Sequence, residues 1–504
     1  MTPAPPALSG RQRALRSGLA AALWAPAILL LALVVEVWKD GLASPFQVDY
    51  GEAQILHSAL AFLRGQPIYP PIGGYPYLST AYPPIYISLC AIGVRLTGPG
   101  FVVGRLISLS AGIAAAILAG AIVWRETRWR GAAALTAALL PGVGFITWWT
   151  LLMRVDALAL ALSMLGLLLA LRSRHAVAAL VFAAALYTRQ SAIAAPAAVF
   201  CALLLERRGR EAARFAAALA AALVVPLVAL TAATGGLFYV HVFKFLALHA
   251  WRWSNLTPWF ERILVPWPVL VGLGVATAIW ALRRRRHAAP AFYFIFSALV
   301  SLTAGKIGSS PGYFIEALAA ACVLVGVAYG SSQRAWLERG RTRLGVALAI
   351  IVVAQAAGMV AGFGGVMQRV IQPIDPAASR AALQRIRETK GDILCEDYGL
   401  LDLAGRRVLL EPFEFTQMVR ARLVDPGPVL DDLRRGRFAL IIIRTNPADL
   451  PPLGAARDSY GGVWYGPMLD EMRAHYAVRE MLYPYYLLAP LRLTPSSPRA
   501  PGRG

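Results

Sequence analysis

Two acidic residues near the N-terminus have the type and spacing of groups that move protons. Asp49 and Glu52 lie three residues apart, directly before an apolar stretch over 51–64 that has helical periodicity. Carboxylates at this spacing form a capping box, which satisfies the free amides at a helix start. A carboxylate can also serve as a general base. The two interpretations are compatible, because a cap would hold Asp49 rigidly.

Charged residues also lie at the ends of apolar runs. Arg154 and Asp156 open one run, Arg189 separates two others, and Lys306 lies between glycines. Ionisable groups at membrane depth are candidates for function. An ion pair at a helix start would also explain Arg154 and Asp156, and a cation reaching the membrane surface would explain Lys306. Lysine is nonetheless rare in this chain, which has 45 arginines and only four lysines: Lys39, Lys244, Lys306 and Lys390.

A third group of polar residues lies in the aromatic segment 234–262. His241, Lys244, His249 and Arg252 follow one another at spacings of three, five and three, so most of them could share one helical face. The interleaved phenylalanines and tryptophans are typical of an aromatic belt at a membrane surface, or of a ligand groove. The two histidines could also hold a divalent metal, the one cofactor that the sequence leaves open.

The elements that must position these residues are membrane helices. Of the 504 residues, 58% are hydrophobic and 15% are charged, with a mean hydropathy of +0.57, whereas a soluble chain carries about 25% charged residues. This composition, with four cysteines far apart, excludes a soluble enzyme, a disordered protein and a disulfide scaffold. A span needs about 20 apolar residues. About eleven spans are predicted, over 18–37, 101–123, 131–149, 152–171, 175–188, 191–205, 212–233, 263–282, 288–304, 312–330 and 343–363.

The distribution of charge predicts the topology. Residues 1–363 contain 30 of the 49 basic residues, and 20 of those 30 lie in alternate short loops, which are therefore predicted to be cytoplasmic. The net charge of +22 is explained by this pattern, which argues against a nucleic-acid partner. The N-terminus is predicted inside and everything after residue 364 outside.

The remainder of the chain predicts a small extracytoplasmic domain. Residues 364–490 alternate strand and helix signals, with strands at 392–396, 438–443 and 485–488 and helices at 376–389 and 428–435. Residues 491–504 have the composition of a disordered tail. The fold class is thus a polytopic α-helical membrane protein, with a transmembrane domain over 1–363 and an α/β C-terminal domain.

Several motifs, in their order along residues 20–330, resemble the glycosyltransferase-C superfamily of membrane glycosyltransferases. Within that superfamily the chain is similar to the protein O-mannosyltransferase and lipid A aminoarabinose transferase-like branch. One departure is Gly312, where the pattern usually has a polar residue before the tyrosine. The motifs are the acidic pair after the first span, Ala61–Tyr69, Tyr82-Pro83-Pro84, Met153–Ala157, Thr188–Ser191, and Gly305–Ser310 before Tyr313 and Glu316.

The resemblance implies transfer of a sugar from a polyprenyl-phosphate donor to an extracytoplasmic lipid, glycan or protein, with inversion. Asp49 would deprotonate the acceptor, with Glu52 in support. Cations would stabilise the departing phosphate, and the candidates are Arg154, Arg189, Lys244, Arg252 and Lys306. Candidates for substrate binding are His57, Tyr82, Asp156, Gln190, His241, His249 and Tyr313. The segment Glu411–Glu414 is either an ordinary loop or a contact to the acceptor.

Two other functions fit a polytopic protein. A transporter or flippase for a lipid-linked glycan would have broken helices with polar residues at mid-span, often in an inverted repeat. Here the ionisable residues cluster at the outer ends of the predicted spans instead. A non-catalytic glycan-binding protein would carry its specific residues in the tail. The sequence favours the transferase.

Overall fold

The computed structural model describes residues 10–245, 247–264, 266–370, 375–444 and 463–491. Its first part is helical and runs to Val370. This part contains α1 (Gly10–Ala43), α2 (Tyr50–Leu63), α3 (Pro84–Thr97), α4 (Val102–Thr127), α5 (Arg130–Leu139), α6 (Gly144–Trp149), α7 (Asp156–Leu171), α8 (His175–Leu186), α9 (Ala194–Leu205), α10 (Gly209–Ala233), α11 (Leu237–Tyr239), α12 (Trp253–Ile263), α13 (Pro268–Arg283), α14 (Ala288–Ser301), α15 (Ile315–Arg339) and α16 (Thr342–Val370).

Long apolar helices form the frame of this part. Among the described residues, six helical stretches are long and apolar enough to cross a membrane, or seven if α12 and α13, bent by 101°, are one broken span. Shorter apolar helices of 10–17 residues are α3, α7, α8 and α9. The polytopic helical fold predicted from the sequence is confirmed. The number of spans, about eleven, stays a prediction.

Two segments differ from the sequence-based expectation. The span predicted at 131–149 is broken into α5, a 3-10 turn (Leu140–Gly142) and α6. Pro141 accounts for the break, because proline has no amide hydrogen to donate within a helix. The apolar helix α3 lies inside the predicted outer loop and was not predicted. It follows Pro83 directly and has Pro84 at its first position, where proline is favoured.

The C-terminal part is a small mixed domain around a four-stranded sheet. The strand order is β1-β2-β4-β3, with β1 and β2 parallel and the other pairs antiparallel. The sheet confirms the predicted α/β domain, although the sequence did not reveal β3. The tail 491–504 lies outside the described residues except for Leu491. The elements are α17 (Pro376–Glu388), β1 (Asp392–Cys395), α18 (Gly399–Leu403), α19 (Pro412–Arg420), α20 (Gly427–Arg434), β2 (Phe438–Ile443), α21 (Gly466–His475), β3 (Tyr476–Leu482) and β4 (Tyr485–Pro490).

This domain is attached to the helical part through the loop between α2 and α3. Tyr77 forms an isolated parallel bridge with Leu410, through hydrogen bonds from the Tyr77 amide to the Leu409 carbonyl (2.9 Å) and from the Glu411 amide to the Tyr77 carbonyl (3.0 Å). Tyr77 is also buried in the hydrophobic core of the domain, together with Phe245. The two parts are therefore joined by the backbone bridge between Tyr77 and Leu410, called the seam below, and by a shared hydrophobic core.

Candidate functional site

A cavity of about 290 Å³ lies where the helical part meets the C-terminal domain. Its walls come from α2, from the loops before α3 and α7, from the connection between α8 and α9, from segments 242–249 and 303–313, and from α19. Residues far apart in sequence thus converge on one space. Seven of the predicted site residues line it: Tyr82, Arg154, Arg189, Gln190, His249, Lys306 and Tyr313.

Asp49 lies next to this cavity and makes two contacts. As N-cap of α2, its Oδ1 accepts a hydrogen bond from the Gly51 amide (3.0 Å), and the same oxygen pairs with Nη1 of Arg154. Its side chain is 21% exposed. In the described parts of the chain, no hydrogen bond reaches its second oxygen, Oδ2. Asp49 is therefore a helix cap with one carboxylate oxygen still open.

Gly51 makes the pairing of Asp49 with Arg154 sterically feasible. A Cβ atom at position 51 would collide with Nη1 and Cζ of Arg154. Glycine at the second residue of α2 lets the guanidinium lie against the helix start. The spacing Asp49-Tyr50-Gly51-Glu52 thus supports an ion pair as well as a cap.

Arg154 is buried and is held on several sides. Its Nη2 donates to the hydroxyl of Tyr82 (3.0 Å), and its Cζ lies 4.8 Å from the ring centre of Trp149. Burial raises the pKa of Tyr82 to about 12, so this phenol keeps its proton at neutral pH. A guanidinium bound on both edges and stacked on an indole is preorganised to face an anion.

Asp156 connects the two arginines of the cavity. Its Oδ1 lies 3.0 Å from Nη1 of Arg189, and its Oδ2 lies 3.6 Å from Nε of Arg154. Its side chain is 2% exposed, so it positions the arginines from behind instead of facing the cavity. It also starts α7, where the helix dipole favours a negative charge.

Gly312 completes this arrangement. Its carbonyl accepts a hydrogen bond from Nη1 of Arg189 (3.0 Å), and the Cζ of Arg189 lies 4.6 Å from the ring centre of Tyr313. A Cβ atom at position 312 would collide with Asp156 and with the indole nitrogen of Trp149. This explains why the chain has glycine where the resembling pattern has a polar residue.

Lys306 and His249 lie on another wall of the cavity. The backbone around Lys306 pairs with segment 250–252, through hydrogen bonds from Ile307 to Ala250 (2.9 Å) and from Arg252 to Gly305 (2.8 Å). Burial, and after it the charge of Lys306, lowers the pKa of His249 to about 4. His249 is therefore neutral at neutral pH, while Lys306 adds a third positive charge beside the two arginines.

Glu52 points away from the cavity. It is fully buried in a two-pronged ion pair with Arg105, whose Nε and Nη2 each lie 2.8 Å from a carboxylate oxygen. The amides of Val48 (2.8 Å) and Met153 (2.9 Å) also donate to this carboxylate. These contacts tie α2, α4 and the loop before α7 together. Arg105 was not predicted, although a single arginine inside the apolar run 101–123 is a recognisable signal.

Four other predicted residues lie outside this cavity. Lys244 and Arg252 are exposed and do not contribute to its walls. His241 is buried, donates from Nε2 to the Pro70 carbonyl (2.7 Å) and accepts at Nδ1 from the Thr80 amide (3.3 Å). Both of its ring nitrogens are engaged, so neither is available to a metal.

His57 belongs to a different space. Its Nδ1 lies 3.1 Å from Oδ1 of Asp402, and it lines a second cavity described below. Within the described ranges, no group of three or more His, Cys, Asp or Glu side chains is arranged to hold a metal ion.

Among the residues that line the cavity, Tyr50 and Gln54 were not predicted as site residues, and Glu414 was predicted only as part of an ordinary loop or of a contact to the acceptor. Tyr50 and Gln54 are one turn apart on α2, a spacing that places them on one face. This spacing could have been used to predict both residues, because Asp49 marks the start of the helix in the sequence. Glu414 belongs to the C-terminal domain. Its position on the cavity wall depends on how that domain packs against the helical part.

This architecture is the glycosyltransferase-C fold, as the sequence motifs predicted. The structure is similar to ArnT from Cupriavidus metallidurans in the apo state, with a TM-score of 0.61, 16% identity, and 93% of this chain and 98% of that chain covered. ArnT bound to undecaprenyl phosphate gives a TM-score of 0.57 and 15% identity, with 92% and 97% covered. No family model and no curated protein matches the sequence. At these identities the similarity establishes the fold alone.

Proposed function

We propose that this protein is a membrane glycosyltransferase that moves a sugar from a polyprenyl-phosphate donor to a lipid, glycan or protein acceptor. The observation that carries the proposal is the convergence of Arg154, Arg189 and Lys306 on one cavity beside Asp49. Three cations face this space. Asp49 and Asp156 are each paired with an arginine, and a further carboxyl, that of Glu414, lies on the wall that the C-terminal domain supplies. Such a space favours an anion with more than one negative charge, as a phosphate monoester has.

The proposed reaction replaces one bond at the anomeric carbon by another. An acceptor oxygen attacks that carbon from the face opposite the phosphate, the bond from carbon to phosphate oxygen breaks, and the polyprenyl phosphate leaves with the electron pair. The acceptor proton passes to the open oxygen of Asp49. Negative charge grows on the phosphate as the bond breaks, so fixed cations stabilise the transition state more than the ground state.

The chain of the donor is proposed to run along aromatic and aliphatic residues. Val242, Phe243 and Ala247 line the same cavity as the cations. ArnT, which has this fold, has been solved with undecaprenyl phosphate bound. This supports a donor of the same class here. Localisation in the cytoplasmic membrane, with the N-terminus inside and residues 364–490 outside, remains part of this proposal.

Undecaprenyl phosphate, the leaving group of such a reaction, is the probe that tests the proposal. Purified protein in detergent should bind it, and Lys306→Met should weaken binding about 10- to 150-fold, because one charge-assisted contact contributes about 1.5–3 kcal/mol. Lys306→Arg, which keeps the charge, is the matched control and should lose much less. Equal affinity for wild-type and Lys306→Met protein would contradict the phosphate site.

A further inference from the structure

A second cavity, of about 460 Å³, adjoins the first. It lies between α2, segment 64–80 and the C-terminal domain, and Gln54 lines both cavities. Its walls are mixed, because prolines and aliphatic side chains line it together with polar and charged residues. The polar and charged residues include Gln54, His57, Ser58, Arg64, Thr80, Tyr398, Arg406, Arg407 and Glu411.

Two glutamates of the C-terminal domain stand where the cavities meet. Glu411 lines the second cavity and Glu414 lines the first, and the two carboxyls are close enough to interact electrostatically. They are only 2% and 5% exposed. Oε1 of Glu411 and Oε2 of Glu414 receive no hydrogen bond from the described residues. Buried polar atoms in native proteins nearly always have partners, so two open oxygens beside cavities are available to water or to a ligand in those cavities.

The backbone holds the pair in place. Glu411 is the N-cap of α19 and Glu414 is the third residue of that helix. The amide of Glu411 donates to the Tyr77 carbonyl, so the seam between the two parts of the molecule ends at the first glutamate. The pair therefore has a fixed position relative to α2 and to both cavities.

Burial makes one of the two carboxyls a proton donor at neutral pH. Desolvation raises the pKa of Glu414 to about 7, and desolvation together with Glu414 raises the pKa of Glu411 well above its usual range. Tyr50, Tyr398 and Ser79 are uncharged neighbours of the pair. The charged and titratable groups on the same walls are His57, Arg64, Arg406 and Arg407 in the cavity of Glu411 and Lys306 in the cavity of Glu414. The pair thus offers both hydrogen-bond donors and acceptors to a ligand.

We infer that Glu411, Glu414 and the second cavity bind the glycosyl acceptor, and that the acceptor presents a carbohydrate with neighbouring hydroxyl groups. The inference rests on the proposed function. Each hydroxyl both donates and accepts, which matches the pair and the amide of Gln54. An acceptor seated along Glu411 and Glu414 extends from the second cavity into the first, where the cations hold the donor phosphate.

A printed array of mono- and oligosaccharides tests this site without the reaction. Wild-type protein should bind a subset of the saccharides, and Glu411→Gln and Glu414→Gln should weaken that binding about tenfold or more, because each removes a buried carboxyl contact. Glu388→Gln changes an exposed glutamate of the same domain and is the control. Undecaprenyl phosphate binding, which Glu411→Gln and Glu388→Gln should retain, and the thermal unfolding temperature of all three variants show that they are folded.

The outcomes separate the two proposals. If no saccharide binds wild-type protein, or if the two variants bind as well as wild type, the inference is overturned while undecaprenyl phosphate binding still supports the proposed function. If saccharides bind through the pair but undecaprenyl phosphate does not bind at all, the carbohydrate site stands and the proposed donor is wrong.

Discussion

Asp49 shows how one residue can satisfy two requirements that the sequence left as alternatives. Its Oδ1 caps α2 and pairs with Arg154, while Oδ2 receives no hydrogen bond from the described residues. An ion pair also fixes the direction in which a carboxylate points. The cap is therefore the means by which the proposed base is held, and the two roles can be separated by a substitution that keeps the geometry.

Asp49→Asn is the substitution that separates them. Asparagine keeps the capping oxygen, and Asp156 still lies 3.6 Å from Arg154 as a second carboxylate, so the loss of stability should be about 1 kcal/mol or less. Since an amide cannot take up the acceptor proton, turnover should fall about 10²- to 10⁴-fold while undecaprenyl phosphate still binds. Sugar transfer by purified protein, with thermal unfolding measured alongside, checks both. A stable variant with normal turnover would remove Asp49 from the chemical step.

At the scale of elements, the Glu52–Arg105 pair joins three segments that carry site residues. Arg105 also donates to the carbonyls of Gly41 (3.0 Å), Ser44 (2.6 Å) and Phe46 (2.6 Å), so it fixes the chain that leads from α1 to α2. The contacts of Glu52 are thus those of a residue that positions Asp49. Its exposure is zero, and the cavity lies elsewhere.

Glu52→Gln should consequently affect folding more than chemistry. Removing one partner leaves a buried guanidinium charge without compensation, which costs about 3–5 kcal/mol. We expect a lower thermal unfolding temperature than for Asp49→Asn, together with near-normal turnover per folded molecule. Circular dichroism melting of both variants provides the comparison. A Glu52→Gln protein that is as stable as wild type but inactive would instead make Glu52 a direct participant.

Much of this arrangement could be predicted from local sequence, and the reasons for the rest are physical. The start of α2 and the strands at 392–395 and 438–443 follow from capping and apolar runs. The convergence of Arg154, Arg189 and Lys306 followed only from the family resemblance. The break at Pro141 was not predicted, because hydropathy does not register the helix-breaking effect of proline. The second cavity depends on how two parts of the chain dock, and no local pattern encodes that.

At the scale of the whole molecule, the proposed orientation makes a direct prediction. Twenty of the 30 basic residues before position 364 lie in alternate loops, so a reporter fused after Arg286 should stay in the cytoplasm and one fused after Gly364 should be exported. Alkaline phosphatase and fluorescent protein fusions in a bacterial host distinguish the two compartments. If the reporter after Arg286 were exported, or the one after Gly364 stayed in the cytoplasm, the proposed orientation would be wrong. The cavity would then lie on the wrong side of the membrane for a donor in the outer leaflet.

The seam at Tyr77 has a consequence for how this protein can change over evolutionary time. Its two hydrogen bonds join main-chain atoms only, and main-chain atoms are the same for every residue except proline. Exposed side chains beside the seam can change without parting the C-terminal domain from the membrane helices, whereas Tyr77 itself is also held by its place in the shared core. The domain can therefore acquire new cavity residues, and with them new binding partners. Its position relative to the cavity that holds the cations would stay the same.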